Sequence, residues 1–156
     1  MSAVQDRYPD DFAHCYGCGR LNAHGLHVRT EWNGTEGVAR FTPRDEHVAI
    51  PGFVYGGLLA SLVDCHAIGT AAAVVMAAAG RTPGVDEAPR FVTAALEVQF
   101  LKPTPAGVEL VLRATPAGSS ARKVIVDVTV LAGDVQTVRG RVVAVPLPET
   151  MRSRAG

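Results

Sequence analysis

The chain lacks an excess of charge of either sign: fifteen Lys and Arg balance fifteen Asp and Glu over 156 residues. A broad, sequence-independent nucleic-acid surface needs a basic surplus, so nucleic acid is not an expected partner. Cysteine is scarce. Cys15, Cys18 and Cys65 are the only three, and only two are close together. They cannot make a disulfide framework, which points to a reducing, cytoplasmic setting. The opening MSAVQDRYPDDF is polar and acidic, with neither the basic nor the apolar region of a signal peptide. No long uninterrupted apolar run exists either. The most apolar stretch, Gly52 to Gly80, is broken by Asp64 and His66 and ends in small residues. A membrane span needs about 18 uninterrupted apolar residues, so a buried helix is expected and a membrane is not.

What the chain has is apolar content. Hydrophobic residues make up 47% and charged residues 19%, a composition suited to one packed core. The length is that of a single domain, with residues 1–13 and 147–156 expected as loose ends. Leu26, Val28, Thr30 and Trp32 alternate with polar residues as in a half-buried strand. Asn33-Gly34 then signals a hairpin, with Val38–Thr42 returning. Gly56-Gly57 opens a helical pattern carried by Leu58, Leu59, Leu62 and Val63 and continued by alanines, with Gly80 as its stop. Four alternating strands follow, around residues 96–100, 108–114, 124–130 and 135–145. Short turns between consecutive strands imply an antiparallel sheet. The expected fold is therefore α+β, a six-stranded antiparallel sheet curled around one long helix. Ile125, Leu131 and Val143 on the second sheet face suggest a homodimer or homotetramer.

The candidate chemistry lies in DEHVAIPGFVYGGLLASLVDCHAIGTAAA, residues 45–73. The first amides of a helix have no partner within it and favour negative charge. Gly56 and Gly57 have no side chains to obstruct a carbonyl oxygen approaching those amides, although they could equally serve only a tight loop-to-helix junction. Asp64 sits two turns further on among apolar neighbours, where a carboxylate is costly unless paired or useful. It could also be a polar group facing a subunit interface. His47, in the preceding loop, reads either as a substrate-facing group or as a loop histidine bonded to backbone. Cys15 and Cys18 form a C-x-x-C pair with no second pair to complete a metal site, and read as part of a structural flap; no metal or cofactor is expected. Cys65 and His66 point about 100° apart on the helix and cannot act as a nucleophile pair.

The run resembles the hot-dog-fold acyl-CoA thioesterases of the phenylacetate-pathway type, which carry His-Gly-Gly, a helix, and an aspartate seven residues after the second glycine. Gly56, Gly57 and Asp64 match that spacing. Cys15, Gly17, Cys18, Gly19, Asn22, Gly25 and Leu26 match an N-terminal Cys-x-Gly-Cys-Gly…Asn…Gly-Leu pattern common in the family, and the resemblance spans residues 14–145. It implies thioester hydrolysis of an acyl-CoA or related acyl thioester. The glycine amides would polarise the carbonyl, Asp64 would act as general base or nucleophile, and the site would be shared between two chains. The family's polar partner at the third strand falls on Thr93. Strict alternation places Thr93 on the face opposite Leu96, Val98 and Phe100, so a role for it requires a bulge or an active site on that face. The family's histidine is Tyr55 here, which cannot serve as a neutral-pH base and is expected to shape the acyl pocket. That replacement makes a non-catalytic acyl-CoA-binding protein the main alternative. A hydratase would need a histidine facing Asp64, and a transcriptional regulator an added DNA-binding module.

Overall fold

The computed structural model describes residues 2–155, with side chains for residues 2–152. Six strands form one antiparallel sheet: β1 (Glu31–Trp32), β2 (Gly37–Phe41), β3 (Phe91–Phe100), β4 (Leu110–Ser119), β5 (Val124–Ala132) and β6 (Val135–Pro146), in the order β1-β2-β4-β5-β6-β3. The long helix α1 (Gly56–Ala78) joins β2 to β3 and lies against the sheet.

The strands follow from their side chains. In β5, Val124, Val126, Val128 and Val130 are buried while the residues between them are half-buried, the period of two that sheet geometry imposes. Helix α1 is long and apolar enough to cross a membrane by length and composition, yet most of it is buried inside the protein. Its apolar character runs round the helix because several sides are covered. Ala67, Ala71, Ala72 and Ala73 are fully buried and leave room for close packing. The helix ends in a Schellman motif. Gly80 has a φ of +72°, its N–H donates to the Ala77 carbonyl at 3.1 Å, and the Arg81 N–H donates to Met76 at 2.9 Å.

Helix and sheet also approach closely at Gly140 of β6. A Cβ there would sit 2.5 Å from Cγ1 of Val63 and 3.0 Å from the Glu97 carbonyl. Neither neighbour can retreat freely, one being in the core and the other backbone. Gly140→Ala is expected to destabilise the fold by about 1–3 kcal/mol, the range for overpacking, read as a lower urea midpoint at unchanged slope.

Three expectations are corrected. Of the loose end expected at residues 1–13, residue 1 lies outside the described residues and residues 2–13 are not loose: two short 3₁₀ turns, Val4–Arg7 and Asp10–Phe12, pack with Val4, Tyr8 and Ala13 buried. Of the loose end expected at residues 147–156, residue 156 lies outside the described residues and residues 147–155 are not simply a tail: Leu147 is buried, and a second helix, α2, covers Glu149–Ala155. The first strand joins the sheet only at Glu31–Trp32. Leu26, Val28 and Thr30 are nevertheless buried, because this extended segment pairs with the N-terminal residues: the Val28 amide donates to Gly17 and the Val4 amide to Thr30, both at 2.9 Å.

Behind that segment lies a buried polar network. His66 is fully buried. Its Nδ1 lies 2.9 Å from the Thr30 hydroxyl and its Nε2 lies 3.1 Å from the Gly37 carbonyl. The carbonyl can only accept, so Nε2 carries the proton. Burial holds the His66 pKa down to about 4, keeping the ring neutral. Gln5 completes the network by donating to the Thr30 hydroxyl and accepting from its amide. His66 thus holds α1 to the sheet.

Candidate functional site

The loop before α1 folds back on itself. The Tyr55 amide donates to the His47 carbonyl and the Val54 amide to Thr104, both at 2.9 Å. These bonds fix where the helix begins. Tyr55 is its N-cap, with φ −61° and ψ 129° and no side-chain cap. The Gly56 and Gly57 amides have no backbone acceptor among the described residues, so two polarised donors stand at the positive end of the helix dipole. An open cleft of about 370 Å³ adjoins Gly56, lined by Val54, Leu59, Phe100, Leu101, Lys102 and Thr104. It offers an apolar wall, one cation and the free helix start.

Tyr55 lies over this start. A Cβ on Gly57 would sit 2.3 Å from Cζ of the Tyr55 ring, so the ring covers Gly57 and the glycine makes room for it. Tyr55 is 56% exposed, and its hydroxyl has no hydrogen-bond partner among the described residues. A hydroxyl without a partner contributes little. Tyr55→Phe is therefore expected to change kcat/KM of the best thioester substrate by no more than about threefold, because no buried group is left unpaired. A steady-state comparison of the two proteins checks it. His47 takes the more ordinary of its two readings. Its Nδ1 accepts the Arg44 amide at 3.0 Å, and its ring lies 5.9 Å from Phe41. Burial lowers its pKa, with Arg44 adding to the effect. It shapes the loop and anchors Tyr55 through its carbonyl.

Asp64 lies seven residues beyond Gly57, two helical turns on, hence on nearly the same face and about 10 Å further along the axis. It is half-buried, and burial raises its pKa, while a hydrogen bond from Thr93 opposes that rise. The Thr93 hydroxyl donates to Asp64 Oδ1. Strict alternation had put Thr93 on the wrong face. A bulge between Thr93 and Ala95 shifts the register, so Thr93 opposes buried Ala144 while Leu96 opposes buried Val142. Both therefore face the helix side. Sequence reasoning missed Arg90. Its charge acts on Asp64, and its guanidinium carbon stands 4.9 Å from the centre of the Tyr8 ring. Its place at a Pro-rich loop end gave no signal. Cys15 also lies close enough for its charge to raise the Asp64 pKa.

A carboxylate held by one hydroxyl and partly withdrawn from water can accept a proton from a water molecule or attack an acyl carbon. Two free amides at a helix start can stabilise an oxyanion. Within one chain these two elements are separated by two helical turns, about 10 Å along the axis.

One long helix wrapped by an antiparallel sheet, with paired glycines at the helix start, defines a hot-dog protein. The sequence pattern of the thioesterase superfamily matches residues 51–139, more than half of the chain, and the chain belongs to that superfamily. A thioesterase superfamily protein from Shewanella loihica PV-4 is 42% identical, with a TM-score of 0.65 over 81% of this chain and 96% of its own. The PaaI protein of E. coli, from the phenylacetic acid degradation operon, is 16% identical with a TM-score of 0.64 over 79% of this chain and 81% of its own. The smu.793 protein of Streptococcus mutans UA159, solved bound to acetyl CoA, is 16% identical with a TM-score of 0.59 over 77% of this chain and 88% of its own. The last two likenesses concern the fold. No curated protein sequence matches the chain.

Proposed function

We propose that the protein hydrolyses the thioester of an acyl-CoA or related acyl thioester, at a site shared by two copies of the chain. The observation that carries this reading is the pairing of Asp64 with Thr93 at one place on α1 and the free Gly56 and Gly57 amides at another, two turns away. A second copy brings the glycines of one chain to the aspartate of the other. The exposed apolar side chains support such a partner. Leu96 and Phe100 on the edge strand β3 are 40% and 55% exposed, although they face the helix side, and Val48, Ile50 and Phe53 are exposed in the loop before α1. By contrast, the middle of the outer sheet face carries Glu97, Gln99, Asp127, Arg139 and Arg141 around an open groove. The apolar surface thus gathers at the site's rim and along an unpaired strand edge.

In this reading the thioester carbonyl rests on the Gly56 amide, assisted by Gly57, beneath the Tyr55 ring. The acyl chain runs along the cleft walled by Leu59 and Phe100. Lys102 at the cleft suits the anionic phosphates of coenzyme A. Asp64 from the other chain activates water or attacks the carbonyl itself, and Thr93 orients it. The acetyl CoA bound to the Streptococcus neighbour is in keeping with an acyl-CoA substrate. A panel of acyl-CoA chain lengths, followed by loss of thioester absorbance, tests the proposal. Cleavage of at least one member with saturable kinetics is the expected result. Tight binding of the panel without cleavage would instead establish a non-catalytic acyl-CoA-binding protein.

A further inference from the structure

The thioester reading leaves Cys15-Tyr16-Gly17-Cys18-Gly19 without a task. Fifty residues away in sequence, Cys65 reaches this pair: the Cys15 and Cys65 Sγ atoms lie 3.8 Å apart, and all three sulfurs fall within 4.8 Å of one another. Every cysteine in the chain therefore converges on one point, from a loop and from α1. No disulfide joins them.

The loop is built around that point. The Gly19 amide donates to the Cys15 carbonyl at 2.7 Å. Both glycines are required by space. A Cβ on Gly17 would sit 2.1 Å from the Cys65 Sγ, and one on Gly19 would sit 2.4–2.6 Å from the backbone of residues 13–15. Two further groups adjoin the sulfurs. Arg90 supplies a positive charge that acts on all three. Tyr8 is fully buried in the same field, and its hydroxyl has no hydrogen-bond partner among the described residues. It is a buried hydroxyl without a partner among them, in the same charged surroundings as the sulfurs.

We propose that Cys15, Cys18 and Cys65 form a three-thiolate site for a thiophilic divalent cation, zinc being the natural occupant. Two sulfurs each about 2.3 Å from a tetrahedral zinc lie about 3.8 Å apart, the separation of Cys15 and Cys65. With the cation bound all three sulfurs are thiolates; the thiol protons displaced go to solvent and no oxidation state changes. The resulting unit has one net negative charge, which Arg90 offsets. Among the described residues no fourth histidine, cysteine or carboxylate joins the group. A water completes the tetrahedron. The cation staples the N-terminal segment to α1 one residue from Asp64.

The full chain, purified with reductant and without chelators from zinc-supplemented cells, tests this by elemental analysis. Roughly one zinc per chain is expected. After chelation, cobalt(II) added without oxygen is expected to give a near-ultraviolet thiolate-to-metal band, and zinc to abolish it and to raise the melting temperature with concentration. Cys18→Ser and Cys65→Ser should each weaken zinc binding by at least about 100-fold, beyond the loss typical of an outer-shell change. The wild-type cobalt spectrum keeps the test valid if either variant fails to fold. Protein that contains no zinc, gives no such band and leaves all three thiols equally reactive with and without added zinc would overturn the proposal. So would a Cys15–Cys65 disulfide that survives reductant.

Discussion

Asp64→Asn is expected to lower thioester turnover by at least about 10²-fold, the usual scale for a lost general base, while the melting temperature stays close to that of the wild type. The argument begins with what Asp64 does in the fold. Its carboxylate accepts one hydrogen bond, from Thr93, and makes no ion pair within bonding distance among the described residues. An amide of the same shape can still accept that bond, so the packing survives. What it loses is the capacity to take a proton or to attack carbon. Thr93→Val separates orientation from chemistry. It removes the donor and leaves the carboxylate, and its expected effect is smaller, with Thr93→Ser restoring activity because the hydroxyl returns. Unchanged hydrolysis in Asp64→Asn would make Asp64 a structural group and the proposed chemistry wrong.

The sequence makes the main elements legible because their signals are local. The valine alternation of β5 survives as buried and half-buried residues in turn, and Gly80 stops α1 where the pattern placed it. The N-terminal segment is different. Its 3₁₀ turns have no periodicity, and it is held by long-range bonds such as the Arg29–Asp6 pair at 2.6 Å and the Gln5–Thr30 contacts. The side of the sheet that Thr93 occupies depends on one inserted residue between Thr93 and Ala95. A bulge of that kind leaves the alternation of the flanking residues intact and only changes its phase, so it cannot be read without knowing the partner strand. The cysteine cluster lay beyond reach for a related reason. Cys15 and Cys18 show a loop motif, but nothing in a helix sequence says which loop Cys65 will meet. The spacing of Gly57 and Asp64, by contrast, was fully legible. Its consequence, a separation of about 10 Å along the axis between the helix start and Asp64, follows from helix geometry alone.

That consequence leads to the second large effect. Gly56→Pro is expected to lower turnover by about 10²–10³-fold, the scale for one lost oxyanion donor, without unfolding α1. Proline is well tolerated at the first helical position, where its missing N–H has no intrahelical acceptor. Tyr55 is already extended, at φ −61° and ψ 129°, the region that a residue before proline prefers. A Cβ at position 56 would meet only the Phe100 ring, at 3.4 Å, a van der Waals contact. The substitution therefore deletes a hydrogen-bond donor and little else. Mixing then distinguishes a site within one chain from a site between two. A heterodimer of Gly56→Pro and Asp64→Asn chains, co-expressed with different tags and purified through both, contains one site with both defects and one with neither. It should recover about half of the wild-type turnover per dimer, since a two-fold pair has two equivalent sites. If each chain completed its own site, every site in the heterodimer would carry one defect, and turnover would stay at the level of the single variants.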